Sequence, residues 1–97
     1  MGATPSERSV QLRITGRVQG VGYRAWALQI ASRVGLRGWV RNRADGSVEA
    51  LVIGAEATVD RMVEACRDGP FGARVVDITV NDAADDGSLG FTPQPTL

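Results

Sequence analysis

The 97-residue sequence contains neither histidine nor lysine, and only one cysteine. A lone Cys66 cannot close an internal disulfide. Without histidine it builds neither a Cys-His nucleophile nor a zinc site. Lysine's absence leaves all eleven basic residues as arginine, balanced by eleven acidic residues. The arginines are scattered rather than gathered in the basic stripe that nucleic-acid binding requires, so nucleic acid is excluded as a partner. Aromatic residues make up only 5% of the chain, and no apolar run approaches the length of a membrane span. The opening "MGATPSERSV" has no apolar core of a secretory leader. These absences leave a soluble, reducing, cytoplasmic protein, with a chain long enough for one sheet-and-helix core but not two domains.

What is present is regular. Residues 1–8 are small and polar and are expected to form a flexible N-terminal segment, with a single domain over 9–97. "SVQLRIT" alternates strictly: Val10, Leu12 and Ile14 face one way, Gln11 and Arg13 the other, which predicts a half-buried strand. After a glycine-rich turn, "YRAWALQIASRV" sets Ala27, Ile30, Ala31 and Val34 along one helical stripe, and Gly35 follows as a left-handed cap. "RGWVRN" and "SVEALVI" read as strands joined through "ADG" at 44–46, a hairpin turn in which Gly46 takes positive φ. Asp45 reads as a turn residue and Glu49 as a solvent-facing strand position. Val59, Met62, Val63 and Cys66 have the i, i+3, i+4, i+7 spacing of a second amphipathic helix, stopped by Gly69-Pro70. "ARVVDITV" predicts a fourth strand. In the tail, Pro93 and Pro95 limit any fifth strand, near Leu89–Thr92, to an edge.

The order β-α-β-β-α-β is that of an α+β, ferredoxin-like sandwich, an antiparallel sheet with two helices on one face. A helical crossover makes the first two strands parallel. Their carboxyl ends then emerge at the same end of the sheet, and the glycine turn becomes a neighbour of Arg41-Asn42-Arg43.

That turn is "GRVQGVGYR", Gly16 to Arg24. It lacks the spacing and the Lys-Ser/Thr ending of a Walker A loop. Gly20, Gly22 and Ala25 match a dinucleotide fingerprint, but the hairpin directly after the second strand rules out the doubly wound sheet such a site needs. What remains is a glycine nest at the positive end of a helix dipole, suited to a small anion. Arg24 opposes that dipole unless an anion sits between it and the amides, and its planar fork can grip two phosphate oxygens. A tight turn with Arg24 in solvent is the alternative.

"GRVQGVGYR" together with "GWVRNRADGSVE" closely resembles the paired signature of the acylphosphatase family, and "GPFGARV" resembles its lead into the fourth strand. The resemblance spans Val10 to Val80. It implies an acylphosphatase-like fold and hydrolysis of an acyl phosphate to carboxylate and inorganic phosphate, the latter both product and inhibitor. It further implies phosphate binding by the amides of Gln19, Gly20, Val21, Gly22, Tyr23 and Arg24, with Arg24 as the phosphate-binding arginine and Asn42 as the water-positioning asparagine. Gly22 departs from the many relatives that carry a bulky aromatic there.

Such chemistry suits a chain without histidine. The leaving carboxylate has a parent acid of pKa about 4, so little protonation is required. Phosphoryl transfer is largely positioning and charge stabilisation. Inward amides and one arginine supply the charge, and Asn42, donor and acceptor at once, can hold the water. Neither metal nor cofactor is expected, and the chain is expected to act as a monomer. Tyr23, Trp39 and Cys66 read as packing residues. Arg41 and Arg43 alternate to the opposite face from Asn42.

Overall fold

The computed structural model describes residues 6–97. The elements are β1 (Glu7–Arg17), α1 (Tyr23–Arg33), β2 (Arg37–Asn42), β3 (Val48–Ala55), α2 (Glu56–Asp68), β4 (Arg74–Asp82) and β5 (Phe91–Pro93). Of the expected flexible segment, residues 1–5 lie outside the described residues. Glu7 and Arg8 belong to β1, opposite Ala55 and Gly54 of β3, so the strand begins before its clean alternation does.

The sheet order is β4-β1-β3-β2-β5. Strand β3 runs antiparallel to both β1 and β2, so those two are parallel without touching. Ile14 and Asn42 both pair with Val48, one from each side. The register therefore brings the ends of β1 and β2 together across the start of β3, as the crossover argument requires.

The expected antiparallel sheet is in fact mixed, because β5 pairs parallel with β2 through Gly38↔Phe91 and Val40↔Pro93. It occupies an edge, where a proline's missing donor costs no ladder bond. Beyond β5 the chain stays beside β2. Gln94 N–H donates to Val40 O at 2.9 Å, Leu97 N–H to Asn42 O at 3.1 Å, and Ala44 N–H to Leu97 O at 2.8 Å.

The core lies between the sheet and the helices. Val10, Leu12 and Ile14 of β1, Val40 of β2, and Val48, Ala50 and Val52 of β3 form one buried cluster with residues of both helices. On α2 the buried side chains are Val59, Met62, Val63 and Cys66, the four that share the apolar stripe. On α1 they are Tyr23, Ala27 and Ala31. Val34, expected on that stripe, is half exposed at the C-cap, because the helix ends before its last apolar residue turns inward.

Strand β3 is buried along nearly its whole length, and its neighbour β2 approaches it closely at Gly38. That glycine has φ +130°, and a Cβ there would collide with the Leu51 carbonyl. Gly38→Ala is therefore expected to lower stability by about 2–3 kcal/mol, or Tm by about 10–20 °C. Thermal unfolding checks this, and an unchanged Tm would refute the close approach.

Candidate active site

Strand β1 ends at Arg17 and the chain turns through Val18–Gly22 into α1. Gly20 and Gly22 have φ of +75° and +78°, with open space where a Cβ would stand. Backbone conformation, not crowding, calls for glycine at both. Gly22 is the N-cap of α1, no side chain caps the helix, and its first turn carries no acidic residue. The first bond closing the helix is Trp26 N–H to Gly22 O at 3.0 Å. Among the described residues, no main-chain N–H from Gln19 to Ala25 donates to a protein acceptor. Unpaired N–H groups in a glycine nest at a helix N-terminus present a concentrated positive potential suited to an anion.

The loop is anchored from behind. Tyr23 is buried, its hydroxyl donates to Cys66 O at 2.6 Å, and its ring meets Trp26 edge-on. Burial, and then Cys66, raise the tyrosine's pKa, so the hydroxyl stays neutral. Burial also pushes the Cys66 thiol up to about 11; the thiol stays protonated at neutral pH and is no nucleophile. Arg24, one residue further, is exposed. It makes no hydrogen bond or ion pair among the described residues.

Arg24 lines an open cleft of about 380 Å³ together with Gly20, Gly22, Tyr23, Ala25, Leu28, Asn42 and Pro93. Two segments distant in sequence thus meet at one cavity. Among the described residues, the buried Asn42 Oδ1 has no hydrogen-bond partner, and Arg43 Nε is likewise unpartnered. A buried acceptor without a partner costs about 1–3 kcal/mol, which makes Asn42 a poor choice for stability alone.

Not every residue expected at the site faces the cleft. The Gln19 side chain turns away to the β2–β3 hairpin, where Nε2 donates to Arg43 O at 2.8 Å and Ser47 O at 2.9 Å. Val21 packs against the core. Leu28 and Pro93 also line the cleft, though neither belongs to the expected site. Helical periodicity carries the signal for Leu28, which lies one turn beyond Arg24. The parallel β5 that delivers Pro93 has no local signal.

On the sheet's other face, Glu49 corrects its solvent-facing expectation, being buried under its neighbours. Arg41 Nη2 lies 2.6 Å from Glu49 Oε1, Gln11 Nε2 lies 2.6 Å from Oε2, and Arg43 Nη1 lies 3.2 Å from Oε1. Burial raises the Glu49 pKa, but bonds from Arg41 and Gln11 and the two guanidinium charges outweigh it, leaving the carboxyl below its ordinary value. Trp39 is half buried and stacks on Arg41, whose guanidinium carbon lies 4.6 Å from the ring centre. Asp45 behaves as the turn residue expected. It accepts from Ser47 Oγ at 2.6 Å and Ser47 N–H at 2.9 Å and pairs with Arg13. Those Ser47 bonds, then Arg13, hold its pKa at about 2.

The fold and the cleft together define a ferredoxin-like sandwich in which the first strand-to-helix turn brings an exposed arginine to the same cavity as the asparagine that ends the second strand. Comparison with known proteins narrows that class. The acylphosphatase family model matches residues 10–93. An acylphosphatase of Rhodospirillum rubrum is 51% identical over 90 residues, covering 93% of this chain and 99% of the relative. Among solved structures, an acylphosphatase from Bacillus subtilis superposes with TM-score 0.85 at 37% identity, covering 89% of this chain and 97% of that one. One from Coxiella burnetii gives 0.87 at 26% identity, covering 91% and 93%. The chain belongs to the acylphosphatase family.

Proposed function

We propose that this hydrolase of the acylphosphatase family holds the phosphate of an acyl phosphate in the Gln19–Arg24 loop and uses Asn42 to position the attacking water. The observation that carries the reading is the cleft itself. Gly20, Gly22, Tyr23, Arg24 and Asn42 all line it, and among the described residues the loop's N–H groups and the Arg24 guanidinium have no protein partner. Amide donors and the guanidinium fork bind the phosphate oxygens and stabilise the charge that accumulates on them during transfer. The Asn42 amide orients a water whose oxygen attacks phosphorus. The P–O bond to the acyl group breaks, and the carboxylate leaves with the bonding electron pair. The water's proton passes to a phosphate oxygen, so the products are a carboxylate and inorganic phosphate. No protein acid is required, because a carboxylate leaves without protonation.

The reading includes a monomer that acts in the cytoplasm, with inorganic phosphate as product and competitive inhibitor. The free, buried Cys66 suits a reducing compartment. The test is phosphate release from a simple acyl phosphate, with a phosphate monoester as control. Turnover of the acyl phosphate alone is expected, because an alkoxide leaving group would need the acid this site lacks. Inorganic phosphate is expected to raise KM without changing kcat. Equal turnover of the two substrates would remove the mechanism.

A further inference from the structure

Strands β1 and β2 never touch in the sheet, since β3 separates them. The phosphate loop leaves β1 and Asn42 ends β2, so some other link must fix their separation. Among the described residues, the hydrogen bonds that join residues 18–24 to residues 42–48 are the two from Gln19 Nε2. Both amide hydrogens are used, and both acceptors belong to the turn that follows Asn42.

Those acceptors are already in the hairpin's own pattern. Arg43 N–H donates to Ser47 O at 2.9 Å and Gly46 N–H to Arg43 O at 3.1 Å. Gln19 uses the remaining lone pair on each carbonyl, gripping the hairpin at its two closing residues. A side chain that offers one donor, or none, cannot make this contact.

We propose that Gln19 is a positioning residue, setting the place of Asn42 relative to the phosphate loop and acting on turnover through Asn42. The inference rests on the role given to Asn42 above. It assigns the Gln19 side chain a task distinct from the phosphate contact of its main-chain N–H. Misplacing a reacting group by about 1 Å costs up to about a hundredfold in rate. The Gln19 side chain lies outside the cleft, so its loss leaves the phosphate donors in place.

The experiment is a double-mutant cycle of Gln19→Ala and Asn42→Ala on an acyl phosphate, with inorganic phosphate inhibition and thermal unfolding measured on each protein. Gln19→Ala is expected to lower kcat about 10- to 100-fold, with the phosphate inhibition constant within about threefold of wild type. In the Asn42→Ala background the same change is expected to cost less than about twofold, because the group it positions is gone. Gln19→Met keeps the side-chain length without the donors and carries the test if the alanine variant does not fold. An equal loss of kcat in both backgrounds would show that Gln19 acts by another route and overturn the proposal. So would a normal kcat in both Gln19 variants while Asn42→Ala remains impaired. A normal kcat in Asn42→Ala itself would instead remove the role of Asn42 on which the proposal stands.

Discussion

Arg24→Ala is expected to lower kcat/KM on an acyl phosphate by about a thousandfold while raising the melting temperature. The two effects share one cause. Arg24 stands in the first turn of α1 without a hydrogen bond or ion pair among the described residues, and no acidic residue shares that turn. A cation there opposes the helix dipole by about 0.3–1 kcal/mol, and alanine is the better helix former. Removing it is expected to stabilise the free protein and to strip the proposed phosphate site of the only side-chain cation that lines the cleft among the described residues. Arg24→Lys keeps the charge but not the fork, so it is expected to restore only a small part of the activity. A folded Arg24→Ala enzyme with wild-type kcat/KM would show that the phosphate is held elsewhere. Lower stability with intact kinetics would make the arginine a structural residue.

The same site shows what a sequence discloses. Periodicity exposes whatever is buried by one repeating face: Val10, Leu12 and Ile14 on β1, and Val59, Met62, Val63 and Cys66 on α2, all lie in the core. Topology then discloses proximity, and Arg24 and Asn42 do line one cleft. What stays hidden depends on partners that no local pattern names. Glu49 alternates like a solvent-facing residue, yet Arg41 and Arg43 cover it. Their charges make burial of a carboxylate tolerable. Gln19 sits inside the glycine signature, but its carbonyl partners are 24 and 28 residues away. The short β5 and the tail beyond it hold β2 through main-chain bonds that any sequence able to extend could make. The prolines foretold an edge but not a direction, because parallel pairing on β2 is decided by the route the chain takes from β4.

Asn42→Ala separates water positioning from every structural role that residue could have. Its main-chain carbonyl accepts from Leu97 N–H on the tail side of β2, and that bond does not need the side chain. The side chain's buried Oδ1 has no partner among the described residues, so truncation removes an unsatisfied acceptor along with some packing. The expected Tm is therefore within a few degrees of wild type. A group needed only in the transition state lowers kcat and kcat/KM equally when removed. Here the expected loss is about 100- to 1000-fold, comparable to deleting one preorganised polar group in other hydrolytic sites. KM and inhibition by inorganic phosphate are expected to stay near wild type, because the loop and Arg24 are untouched. Asn42→Asp is expected to be no better, since a carboxylate beside a phosphate dianion adds repulsion and removes a donor. A purely structural asparagine predicts the reverse pattern, with stability lowered by about 1 kcal/mol and kcat preserved in the folded enzyme. Thermal unfolding and steady-state kinetics on one Asn42→Ala preparation decide between them. A near-normal kcat with a normal Tm would leave Arg24 as the site's binding group and require the attacking water to be held by something other than this amide.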